Sequence, residues 1–231
     1  MDHFSLRPQD LPVSTRFLGG PACLDFANPT EQLRSARPED WLSSYGVLVV
    51  WSRARGTLGA GVARRLDVLA GRDPAGALEV FAKALEIRCA IRTVAAAFAD
   101  GTPAAGAVGQ VNRWLAALPP QPPVTLADGA RLGAFDLRGE TLEEPLWPIL
   151  WSLTGLLTSD QATQVRRCEG VGCGYFFVDT TSNRSRRFCS SAGCGNRARA
   201  QRFSRLHRPT PQQVAPALAE AGLENSEQIV D

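Results

Sequence analysis

Histidine, lysine and long apolar runs are scarce in this chain of 231 residues, and each scarcity removes a class of function. His3 and His207 are the only histidines, and neither lies in a motif. There is no H-E-x-x-H metalloprotease helix, no phosphate-binding glycine loop and no nucleophile elbow, so the chain is not read as an enzyme. No apolar run approaches the roughly 18–20 residues that cross a bilayer. The start, Met1-Asp2-His3-Phe4-Ser5-Leu6, lacks the basic and apolar regions of a secretory signal. The expectation is a cytoplasmic protein with no membrane partner. Lysine occurs once, at Lys83, so arginine carries nearly all the positive charge. With the Ala and Gly content, that preference for arginine is the bias a GC-rich genome gives, so the informative feature is where the arginines cluster.

Six cysteines are present, four of them in a repeated frame. Cys168 and Cys173 are separated by four residues, as are Cys189 and Cys194, and glycines flank Cys173 and Cys194 on both sides. In a reducing compartment such pairs point to metal rather than disulfides. Two like hooks make a tetrathiolate cage, the usual structural zinc site, and predict one structural Zn2+. A catalytic zinc needs an open position for water, which four thiolates do not leave. An iron–sulfur cluster or a redox switch is the remaining alternative. Cys23 and Cys89, among apolar neighbours, read as buried free thiols.

The net charge of +2 hides an asymmetry. Residues 166–208 hold ten arginines against Glu169 and Asp179, a net +8, which leaves −6 for the rest. A basic module on an acidic body predicts a polyanionic partner for the module. The competing reading is a solvated basic face with no partner.

The hydrophobic pattern predicts an α+β chain: a mainly helical N-terminal domain with a small antiparallel sheet, followed by a treble-clef-like four-cysteine finger. Residues 16–20 and 23–28 read as two short strands around a Gly-Gly-Pro turn. A helix is expected from Pro38 through Trp41, Leu42 and Tyr45, broken near Gly56–Gly61, then another over Leu58–Leu69. Pro74–Ala99 reads as the longest helix, with Leu78, Phe81, Leu85, Cys89 (or Arg88), Arg92 and Ala96 on one face. Ala104–Leu118 follows, and Pro119, Pro120, Pro122 and Pro123 end it. Val124–Leu126 and Arg131–Leu137 read as a hairpin, and Leu142–Leu157 as a central helix. Inside the module, Tyr175–Val178 and Arg186–Phe188 are expected to pair as strands between the hooks, with a helix over Ala192–Leu206. On that helix Arg199, Arg202 and Arg205 share a face. A neighbouring stripe of Ala200, Phe203 and Leu206 is expected to pack on Phe176, Phe177 or Phe188. The division predicted is 1–160, 165–209 and a partly helical tail, 210–231. Metal removal is expected to unfold residues 165–208 and leave the body folded.

The run Arg186-Arg187-Phe188-Cys189-Ser190 leading to Cys194-Gly195-Asn196-Arg197, with Phe177-Val178-Asp179 upstream, closely resembles the CGNR zinc fingers of bacteria. Gly19-Gly20-Pro21-Ala22-Cys23-Leu24-Asp25-Phe26-Ala27-Asn28 is similar to the opening motif of the ABATE domain, which commonly precedes this finger. The resemblance implies a transcription regulator whose finger binds DNA and whose upstream domain senses stress or a small ligand. It carries Cys168, Cys173, Cys189 and Cys194 over as ligands. Asn196 then either caps backbone near the cage or reads a base edge, and Arg197 either braces the knuckle or contacts phosphate.

The functional expectation is therefore duplex DNA binding through Arg184, Arg186, Arg187, Arg197, Arg199, Arg202 and Arg205, with the body sensing a ligand or forming a homodimer. The alternative is a structural zinc module for protein–protein or RNA interaction, since the fold alone serves all of these. A ligand pocket, if present, is placed by Asp25, Asn28, Arg88, Arg92, Trp147 and Trp151. Its arginines would meet an anionic effector. The competing readings are a turn or cap for Asp25 and Asn28, and core filling for the tryptophans.

Overall fold

The computed structural model describes residues 17–28, 42–120, 124–126 and 133–207. The expectations for residues 1–16, for a helix start at Pro38 and Trp41, and for the tail 210–231 lie outside that set. Seven α-helices are described: α1 Ala22–Ala27, α2 Tyr45–Arg55, α3 Ala60–Arg72, α4 Pro74–Asp100, α5 Ala105–Ala116, α6 Trp147–Leu157 and α7 Asn196–Leu206. Two antiparallel pairs join them, β1 Val124–Leu126 with β2 Gly133–Phe135, and β3 Val165–Arg167 with β4 Phe176–Val178. None of the described helices is long and apolar enough to cross a membrane.

Local chemistry sets the helix ends. The Ser44 hydroxyl accepts from the Val47 amide at 3.3 Å to start α2, and Gly56 at φ +81° stops it. Leu42 and Ser43, expected inside that helix, lie ahead of it. Asp73 Oδ1 accepts from the Gly76 amide at 2.9 Å and Pro74 opens α4 where its missing N–H costs nothing. Pro145 and Pro148 likewise fall in a single 3₁₀ turn, Glu144–Leu146, and in the first turn of α6. The buried Glu144 carboxylate accepts from the amides of Arg138, Gly139, Glu140 and Thr141 and so ties the loop before α6.

Two expectations about the body are corrected. Residues 22–27 form a helix, not a strand. Cys23 to Asn28 are all buried, so the segment is covered on every side and its apolar–polar alternation carries no information about period. α1 is enclosed by α4 and α6, with Phe26 edge-on to Trp51 at 5.4 Å. On α4 the buried stripe is Ala77, Val80, Ala84, Ile87, Ile91 and Val94, one residue away from the expected face. Leu78 is 67% exposed, and Cys89, expected to be buried, is exposed too.

The finger's strands also pair differently. β4 pairs with β3, which precedes the first hook, in the register Val165↔Val178 and Arg167↔Phe176. Arg186–Phe188 is not a strand, although the Arg187 carbonyl accepts from the Glu169 amide at 3.0 Å. The first cysteine pair is therefore the tip of the β3–β4 hairpin, and the second sits in a π-helical turn, Ser191–Gly195, that runs into α7. β4 is buried on both faces. Phe176 and Val178 belong to the body core, while Phe177 packs with the four cysteines.

Candidate metal centre

Backbone geometry brings the two hooks together. Gly172 at φ +68° and Gly174 at φ +48° turn the chain around Cys173. Gly195 packs beside the Ser190 carbonyl, which would lie 3.4 Å from an added Cβ, an ordinary contact distance. The Ser190 hydroxyl accepts from the Gly193 amide at 3.0 Å and shapes the second turn.

Cys168, Cys173, Cys189 and Cys194 place their sulfurs within 4.8 Å of one another. Cys173 Sγ–Cys189 Sγ and Cys189 Sγ–Cys194 Sγ are both 3.7 Å. Tetrahedral zinc with bonds of ~2.3 Å to sulfur sets sulfurs about 3.8 Å apart, so the donor set fits this ion. The Gly170 and Cys189 amides donate to Cys168 Sγ at 3.4 and 3.3 Å, and Arg197 Nη2 donates to Cys194 Sγ at 3.4 Å. These donors offset negative charge on the sulfurs and orient them. The thiols share protons unequally. Hydrogen bonds from Cys173 and Cys189 pull Cys168 far down, and Cys168 in turn pushes Cys173 up to about 12 and Cys189 higher still. A cation that replaces those protons is the chemistry this site supports. One structural zinc held by four cysteines is that cofactor.

The arginines have separate tasks. Arg186 Nε donates to the Phe188 carbonyl at 3.0 Å and its Nη2 to the Cys189 carbonyl, while its guanidinium lies 4.4 Å from the Phe177 ring centroid. Arg187 pairs with Glu169, Nε to Oε2 at 2.7 Å, a bond that holds the Glu169 carboxyl below its ordinary range. Arg184, at φ +48°, reaches the Gln164 amide oxygen at 3.3 Å in the amide orientation that satisfies both its ends. Arg199 lies over the π-helical turn, 3.3 Å from the Ser191 carbonyl and 3.5 Å from Asn196 Oδ1. Arg202 and Arg205 lie on exposed α7 and have no partner among the described residues. α7 buries none of its residues. The expected packing of Phe203 and Leu206 on the finger aromatics does not occur: they are 63% and 75% exposed, because Phe176 and Phe177 are already enclosed elsewhere. Phe203 instead stacks on His207 at 3.9 Å.

The residues expected around a pocket do different things. Asp25 Oδ1 accepts from the Gly19 amide at 2.7 Å and Oδ2 from Arg55 at 2.8 Å, and burial nevertheless raises its carboxyl above the usual range. Asn28 hydrogen-bonds the backbone of Phe176. Arg88 Nη2 donates to the Asn28 carbonyl at 3.3 Å. Arg92 donates to the Ala27 carbonyl at 2.9 Å and the Gly174 carbonyl at 3.4 Å, with Phe176 beneath its guanidinium. The structure thus brings Asn28, Arg88 and Arg92 together at the body–finger seam. Trp147 and Trp151 stand apart from them, in contact with each other, with Trp151 against Phe135. The described cavity nearest the finger is elsewhere, between the Gly-Gly-Pro turn, the end of α6 and the loop after β4. Its lining comes from three distant segments, so no local sequence signal could have marked it.

Fold and site define a zinc-finger protein whose four-cysteine finger is joined to a helical body by a shared strand. The family model described as "Putative stress-induced transcription regulator", ABATE, matches residues 20–160, and the CGNR zinc finger matches residues 164–207. The chain belongs to the ABATE family. No curated protein matches it.

Proposed function

We propose that this protein is a transcriptional regulator that binds duplex DNA through α7, with the body, residues 1–160, as the sensing or dimerising part and residues 165–209 as the DNA-binding part. The observation that carries this reading is the exposure of α7 along its length, with Arg199, Arg202 and Arg205 on one side and Phe203 and Leu206 beside them. A helix anchored at its N-terminus by a metal cage and free beyond it is suited to enter a major groove. Guanidinium groups bond phosphates and guanine edges bidentately, and exposed apolar groups suit thymine methyls. Arg186, Arg187 and Arg197 are bound to the hook backbone, to Glu169 and to the Cys194 sulfur, whereas Arg184 and Arg199 reach only neutral oxygens at 3.3 Å or beyond and Arg202 and Arg205 have no partner among the described residues, so the contact surface narrows to these four.

The test is anisotropy titration of zinc-loaded protein with duplex DNA across a salt series. About four neutralised phosphates, one for each of these arginines, give a log–log slope near −3.6. The exposed Phe203–His207 stack favours a second reading, single-stranded nucleic acid recognised by base stacking. Tighter binding to unpaired strands than to duplex in the same assay would select it.

A further inference from the structure

Between the Gly-Gly-Pro turn, α6 and the finger lies an open-sided cavity of about 590 Å³. We infer that it binds a small monocarboxylate with a medium-length aliphatic or single-ring body, through Arg186. This inference rests on the reading of the protein as a ligand-sensing regulator.

The volume falls within the range of small-molecule sites. Leu18, Pro21, Leu156 and Val178 supply apolar surface, and Gly155 leaves space in the wall. Ser152, Ser159, Gln161 and Thr180 are the neutral polar residues of the lining. Among the described residues, Arg186 is the single charged group in the lining and none of the lining residues is a carboxylate. The nearby Arg55 is already held by Asp25 and the Gly20 carbonyl. Asp179 is also committed. Burial works to raise its carboxyl, but bonds from the Thr181 hydroxyl and amide and the Arg186 amide outweigh it and hold the group below its ordinary value. One guanidinium with neutral partners beside an apolar wall selects one negative charge on an apolar body.

The same guanidinium steadies the second hook through the Phe188 and Cys189 carbonyls. A carboxylate is a stronger, charge-assisted partner than a carbonyl. Occupancy therefore competes for Arg186 and is felt at the π-helical turn that launches α7.

The experiment titrates isotope-labelled, zinc-loaded full chain with octanoate and benzoate, and in parallel with octanamide and benzamide, reading backbone amide resonances. Saturable shifts at Gly20, Ser159, Thr180 and Cys189 are expected, with the uncharged amides weaker by about tenfold or more. Arg186→Gln should lose the acids but can disturb the hook. Gly155→Leu fills the cavity where an added Cβ meets nothing within 4 Å, and should weaken the acids about tenfold at unchanged zinc content. No saturable shift below about 10 mM, equal binding of acid and amide, or undiminished binding to Gly155→Leu overturns the site. Duplex affinity of ligand-free protein is measured alongside. Loss of duplex binding with intact carboxylate binding removes the regulator reading and leaves the site, and the reverse result removes the site alone.

Discussion

The side-chain amide of Asn28 pairs with both backbone groups of Phe176: Nδ2 donates to the carbonyl at 2.9 Å and Oδ1 accepts from the amide at 2.7 Å. Asn28 thereby stands in for a neighbouring strand along β4. It joins the end of the Gly-Gly-Pro motif to the strand whose other face covers the cage. Both partners are buried.

Asn28→Ala leaves two buried backbone groups of Phe176 without that partner. A cost of about 2–6 kcal/mol is expected, from 1–3 kcal/mol for each of the two orphaned groups. Denaturant midpoints of the zinc-loaded protein measure it. Asn28→Asp keeps the acceptor and loses the donor, so it should fall between the two.

Metal removal should not release the finger as one unit. Val165, Phe176 and Val178 are part of the body core, whereas the hooks depend on the four sulfurs. With chelator, hydrogen-exchange protection should be lost over residues 168–175 and 188–206 and retained over 165–167 and 176–178. Uniform loss across 165–206 would show that the hairpin depends on metal as much as the hooks do.

Arg197 and the outer arginines of α7 should separate cleanly. Arg197→Ala removes a donor to Cys194 Sγ and should weaken zinc binding by about 10–100-fold, as loss of a ligand-orienting group does. Replacing Arg199, Arg202 and Arg205 together by Ala should leave zinc in place and reduce the duplex salt slope by about 2.7, at ~0.9 for each phosphate that is no longer neutralised. Metal content by elemental analysis and anisotropy across salt report the two effects.

Asp67 sets a pH dependence in the body. Burial lifts its carboxyl to about 6, against the lowering influence of Arg53. The folded value lies above the unfolded one, so the folded state binds the proton more tightly. This contribution is present below the unfolded value near 4 and is lost as pH rises through 6. Asp67→Asn should flatten the pH dependence of stability across that window, so that its difference from wild type grows as pH rises. It should add about 1 kcal/mol at pH 7.5, since a half-exposed carboxylate realises only part of its nominal shift.

The cage was legible in the chain because four-residue spacing with flanking glycines is a local instruction. φ values and sulfur positions follow from residues a few places apart. The helix α4 was legible in extent, through Asp73, Pro74 and Gly101, but not in face. Both of its candidate stripes carry apolar residues, and which one is buried depends on what α1 and β3 bring against it. The pairing of Phe176–Val178 was misplaced for a related reason. Residues 186–188 and 165–167 are equally able to lie beside β4, and the choice belongs to the body core that takes up Phe176 and Val178.

Residue order alone determined the tetrathiolate chemistry, the extent of α4 and the concentration of positive charge near the C-terminal third, because each is written in short-range spacing. Tertiary structure decided which arginines are occupied and which are free, that Asn28 serves as a clamp, and that a cavity opens beside Arg186. The clamp and the cavity depend on contacts between segments more than a hundred residues apart, and the arginine partners on hydrogen-bond competition within the folded finger; in each case packing selects among partners that sequence leaves equivalent.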